Sequence, residues 1–82
     1  MSAFDLALRI YSDGRLLIDA TRDLAVTNQR LRWAREDLED ALLDLKLAVL
    51  DADEATLAVH LREATLIVAE IRMIVNELSD EE

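Results

Sequence analysis

One row of leucines constrains this chain more than anything else in it. Leu17, Leu24, Leu31, Leu38 and Leu45 recur every seven residues, and three residues after each comes a small side chain: Ala20, Thr27, Ala34, Ala41 and Ala48. Residues seven apart stay on one side of an α-helix, whereas the alternation of a strand would scatter them over both faces. The only glycine, Gly14, lies just before the row, and there is no proline. The spacing predicts one long helix over 15–50 with a narrow leucine/small seam suited to close antiparallel packing.

The flanks read as shorter or looser helix. Ser2 is placed to cap a short helix over 3–12. Asp13-Gly14 then ends that helix, or forms the two-residue turn of a β-hairpin joining 8–12 to 15–19. Ala3 and Ile10 continue the leucine row backwards through the turn, which favours the helix. Near Asp51-Ala52-Asp53-Glu54 the pattern breaks, with Asp51 and Glu54 spaced as a capping box and Asp53 a second candidate cap. A last helix over 54–78 carries its main seam at Leu57, Leu61, Ala64, Val68, Ile71, Val75 and Leu78, and a separate stripe at Val59, Leu66 and Met73. Residues 79–82 form an acidic tail, expected to fray.

Length then bears on assembly. A helix over 15–50 would be about 54 Å long at 1.5 Å per residue. A domain of 82 residues is only about 30 Å across when compact. The expectation is therefore an all-α single domain over 1–82: a long helical hairpin with a short N-terminal helix. Two copies would pair as an antiparallel four-helix-bundle-type homodimer, with Val59, Leu66, Met73, Leu43 and Leu47 in the interface.

Charge narrows the partners. The formal net charge is -9, and residues 36–82 hold 14 acids against three bases. Such a chain repels nucleic acid and membrane surfaces and attracts basic proteins. Without cysteine it has neither disulfides nor thiolate metal sites. It lacks an apolar run long enough to span a bilayer and a basic-then-apolar leader, so the cytoplasm is the expected compartment. Eight arginines to one lysine suggest a bacterial or phage gene of high GC content.

Candidate chemistry is sparse. His60, the only histidine, has no second histidine or cysteine one turn away. Glu36, Asp37, Glu39 and Asp40, with Asp44 beyond, include carboxylate pairs at i,i+3, a spacing that can hold Mg²⁺ between facing helices. An all-α metal-dependent nucleotide hydrolase would need a second such pair. Glu63, Glu70 and Glu77 stand at sevens and do not supply it. Serines lie near the termini or a turn, and a glycine-rich phosphate loop is impossible with one glycine. A basic-zipper reading fails, because the alternate heptad positions Thr21, Asn28 and Arg35 are polar and no basic segment precedes the row.

The arginines Arg22, Arg30, Arg32 and Arg35 are expected to neutralise Glu70, Glu77 and the acidic tail rather than bind nucleic acid. Trp33 lies opposite the leucine row, close to Val26, as dimer core or as a hot spot for a foreign partner. These readings converge on a non-enzymatic, cofactor-free acidic helical module. Its acids Glu36, Asp37, Glu39, Asp40 and Asp44, with Trp33 and Val26, would engage a basic surface of another protein, as an inhibitor covering a nucleic-acid-binding site would. The alternative is a structural or assembly module, and the hydrolase stands third.

Overall fold

The computed structural model describes residues 2–80, which form four helices: α1 (Ala3–Ala20), α2 (Arg22–Ala25), α3 (Gln29–Asp51) and α4 (Glu54–Asp80). The chain is all-α, 91% helical, with α1 packed on both long helices α3 and α4. Short α2 extends α1 past a kink, so the body is a three-helix bundle of 44 × 21 × 17 Å. Three neighbourhoods fix its direction. Ala7 and Tyr11 lie beside Leu45 and Val49, so α3 runs against α1. Arg30 meets Glu77, so α4 runs against α3. Leu16 and Ala20 lie beside Arg72, so α1 and α4 are parallel.

Two boundaries differ from the sequence expectation, and both have local causes. The helix expected over 15–50 is broken at residues 26–28, and Gly14, expected to end a short helix over 3–12, lies inside α1. Ser2 starts α1 with a capping box: its hydroxyl accepts from the Asp5 N–H, and the Asp5 carboxylate accepts from the Ser2 N–H. The first helix then runs straight through Asp13-Gly14 because Gly14 is a packing residue. A Cβ there would stand 2.8 Å from Leu42 Cδ1, closer than side chains approach one another. Ala7, Gly14 and Thr21, seven apart, are the small row of α1 and its C-cap, and all three are buried.

The break comes where side chains supply its hydrogen bonds. The buried Thr21 hydroxyl donates back to the carbonyls of Leu17, at 2.8 Å, and Ile18, at 3.3 Å. Such back-bonding bends a helix. Arg35 of α3 also donates to the Ile18 carbonyl, through Nε at 3.2 Å and Nη2 at 2.9 Å, tying the kink to the neighbouring helix. Asn28 in extended conformation then restarts the chain as N-cap of α3, accepting from the Leu31 N–H at 2.9 Å.

The second connection is where the sequence placed it. Ala52 takes a left-handed conformation, φ 55°, ending α3. Asp53 caps α4: its carboxylate accepts from the N–H groups of Ala55 and Thr56 and, at 2.7 Å, from the Thr56 hydroxyl. These bonds hold the Asp53 carboxyl below the usual carboxylate range, the Thr56 hydroxyl being the largest cause. Asp51 remains in α3, so the Asp51/Glu54 capping box does not form. Ser79 and Asp80, expected to fray, are the last turn of α4, while Glu81 and Glu82 lie outside the described residues.

The core follows the predicted seams along α3 and α4, whereas earlier in the leucine row Leu17 is half-buried and Leu24 is 41% exposed. Leu31, Leu38 and Leu45 with Ala34, Ala41 and Ala48 are all buried on α3, as are Leu57, Ala64, Val68 and Ile71 on α4. Each fully buried leucine contributes roughly 1.5–3 kcal/mol of transfer free energy. Leu42 and Ile74 add a second inward row to α3 and α4, which a third helix covers. That third helix is α1, folded back at the break, and the protomer thereby fills its own core.

Candidate interaction surface

With the core closed, the outward faces become the candidate site. On α3, Trp33, Asp40 and Leu47 repeat at sevens opposite the buried leucines. Glu36, Leu43 and Leu50 repeat beside them. The two rows alternate in steps of three and four, so the outside of α3 carries a second heptad seam of its own. Its C-terminal half is leucine and its N-terminal half is tryptophan with two carboxylates. Asp37, Asp44 and Asp51 flank it on one side; Arg32, Glu39 and Lys46 flank it on the other.

All of these side chains are exposed. Trp33 is 59% exposed, Leu43 55%, Leu47 50% and Leu50 70%. Isolated apolar side chains on a surface mean little, but a contiguous seam marks a contact site. Beside Leu50 the surface dips into an apolar cleft of about 270 Å³ between α1 and α3, lined by Ala7, Leu8, Tyr11, Leu45, Lys46 and Val49. Nothing in the sequence pattern announces this cleft, at whose edge Leu8 is 59% exposed. Leu50 repeating with Leu43 was the signal available for the seam beside it.

The electrostatics are one-sided. Among the described residues, Glu36, Asp37, Glu39, Asp40 and Asp44 make no ion pair within 4.0 Å. The arginines are engaged elsewhere or stand free of them. Arg30 binds Glu77 at 3.2 Å, as charge placement suggested; Arg22 reaches Asp19 at 3.9 Å; Arg35 serves the Ile18 carbonyl. Val26 lies in the α2–α3 connection, 69% exposed, one heptad before Trp33.

Compared with protein-family models, with characterised proteins and with solved structures, the chain finds no match. The surface must speak through its own chemistry.

The residues expected in a dimer interface fall on two different faces. Leu43 and Leu47 belong to the outside of α3, together with the acids. Val59, Leu66 and Met73 form a stripe on the outside of α4, with Leu66 62% exposed. Among the described residues no three His, Asp or Glu side chains gather as a metal site. His60 is half-buried, its Nδ1 3.5 Å from a Glu63 carboxylate oxygen without hydrogen-bond alignment. Among the described residues no helix is long and apolar enough to cross a membrane.

Proposed function

We propose that this protein is a non-enzymatic acidic helical binding module whose α3 outer face engages a basic surface of a protein partner. One observation carries the reading: five carboxylates on α3 stand exposed and without cationic partners, beside an exposed tryptophan. Grouped like charges on a helix are mildly destabilising, so the folded protomer gains nothing from holding them together. A partner rich in arginine and lysine would relieve that repulsion, and Trp33 supplies the aromatic anchor typical of binding hot spots. Where the partner's basic surface ordinarily holds nucleic acid, occupation by this module would inhibit it.

The test compares wild type with the variant E36Q/D37N/E39Q/D40N, immobilised and exposed to proteins of the source cells. A basic partner retained by wild type, released by salt and not retained by the variant supports the reading. A partner held equally by both, with the variant folded, defeats it.

A second reading, a homodimeric assembly module, is favoured by the Val59, Leu66 and Met73 stripe. Self-pairing along α4 would bury it without engaging the acidic face. Sedimentation of wild type and Leu66→Glu decides: a dimer that becomes a folded monomer in the variant supports it, and a monomeric wild type at micromolar concentration removes it.

A further inference from the structure

We infer that the occupant of the α3 outer face is a single amphipathic basic helix, lying along the seam from Trp33 to Leu50 and inserting one large apolar side chain into the cleft between α1 and α3. The inference rests on the binding-module reading above and specifies the shape and chemistry of its partner.

The argument starts from spacing. Trp33, Glu36, Asp40, Leu43, Leu47 and Leu50 alternate in three- and four-residue steps along an uninterrupted helix. That pattern is the complement of another helix, whose own side chains fall into the gaps between them. From Trp33 to Leu50 the seam is about 26 Å long at 1.5 Å per residue, so a partner helix of some 17 residues would cover it. A flat or irregular basic surface would meet the carboxylates but not the leucines between and below them.

Charge selects the partner. Apolar side chains are required opposite Leu43, Leu47 and Leu50. Arginine or lysine is required opposite Glu36 and Asp40, and along the flank formed by Asp37, Asp44 and Asp51. A second copy of this chain does not meet that requirement. Paired in parallel, its Glu36 and Asp40 would face their own counterparts. Paired antiparallel about Leu43 and Leu47, its Asp40 would face Leu50, and the two aspartate rows would face each other. Both arrangements set carboxylates against like charge or leucine.

The cleft gives the helix an anchor. It opens beside Leu50, the last residue of the seam, and its volume of about 270 Å³ leaves room for a large side chain. Its lining is apolar apart from the Tyr11 hydroxyl and the Lys46 amine. Buried anchors of this kind carry most of the affinity of helix-in-groove complexes.

The only tryptophan of the chain reports on the test. Trp33 emission would be followed while adding a synthetic peptide about three heptads long, with leucine placed opposite Leu43, Leu47 and Leu50 and arginine opposite Glu36, Asp40 and the Asp37/Asp44/Asp51 flank. The control peptide has the same composition in scrambled order. The inference expects a blue shift of Trp33 emission and binding at least about tenfold tighter for the amphipathic peptide than for its control. The variant L43S/L47S/L50S should lose that margin while binding the scrambled peptide as wild type does, with circular dichroism showing the bundle intact.

Equal affinity for the two peptides would overturn the helical partner and leave the acidic-surface reading standing. Failure of both peptides to bind at low salt would overturn both readings. A dimer that L43S/L47S/L50S dissociates would assign the face to self-association and overturn the inference.

Discussion

The inner and outer sides of α3 carry leucines at the same heptad spacing, yet one is sealed and the other lies open. Leu31, Leu38 and Leu45 are within 1% of complete burial, whereas Leu43, Leu47 and Leu50 are at least half exposed. Spacing cannot distinguish them. The distinction comes from the neighbours one step round the helix: alanines beside the inner row, aspartate, glutamate and lysine beside the outer. Small residues let α4 approach α3 closely, and charged ones hold the outer row in water. A heptad thus marks a face along a helix, and its flanks tell a sealed seam from an open one.

This contrast can be broken most decisively at Leu38. Leu38→Ala should cost about 2–5 kcal/mol, because it empties a fully packed site that can relax only in part. Chemical denaturation followed by circular dichroism measures it, and a cost under about 1 kcal/mol would mean that the inner seam is looser than its burial implies. Gly14→Val comes next, at roughly 1–3 kcal/mol, since the new side chain must displace Leu42. Were Gly14 a turn residue, the same change would leave Leu42 unaffected.

Arg35→Met sharpens the comparison at its edge, where the inner face meets the kink. It removes the two donors on the Ile18 carbonyl and should cost on the order of 1–2 kcal/mol. Faster amide exchange in α2 than in α3 would accompany it. Asp53→Asn acts at a connection outside both seams. The folded pKa of Asp53 lies below its ordinary value, so its contribution to stability is present above the unfolded pKa and is lost as pH falls through the folded one. The variant should therefore melt below wild type at neutral pH and converge with it in acid. Smallest of all is Leu47→Ser on the outer face, within about 0.5 kcal/mol of wild type for an isolated protomer. A larger loss that grows with protein concentration would show the outer seam covered by another copy.

Much of the architecture was legible before any coordinates. The rows Leu31/Leu38/Leu45 and Ala34/Ala41/Ala48, the α4 seam and the Asp53 cap were readable because each is local: it depends on one helix and its own caps. The break at 26–28 was not, and the reason is physical. Periodicity reports which side of a helix faces inward, and α1 faces the same core as α3. The leucine row therefore keeps its spacing in the sequence across a turn that contains neither glycine nor proline, although Leu24 itself is 41% exposed and Ala25 is buried in its place. The small row does change sides. It is Ala7, Gly14 and Thr21 along α1 and its C-cap, four residues after Ala3, Ile10 and Leu17, but Ala34, Ala41 and Ala48 in α3, three residues after the leucines. Ala20 and Thr27, which would continue the α3 pattern, are exposed. That switch, together with Asn28 as a competent cap, was the signal available. At the surface, the acids and Trp33 could be named from sequence, but the cleft beside Leu50 requires α1 folded back against α3.

The odd number of long helices fixes how the chain enters and leaves. Residue 2 lies at the pole where α3 ends, and residue 80 at the pole where α3 begins, so the ends of the described chain sit at opposite tips of a body 44 Å long. Anything joined to one end is held a full bundle length from anything joined to the other. Tension applied between them pulls α1 and α4 lengthwise past α3, shearing every layer of the core at once instead of peeling one helix away turn by turn. The rod is thus a stiff spacer, resistant along its axis.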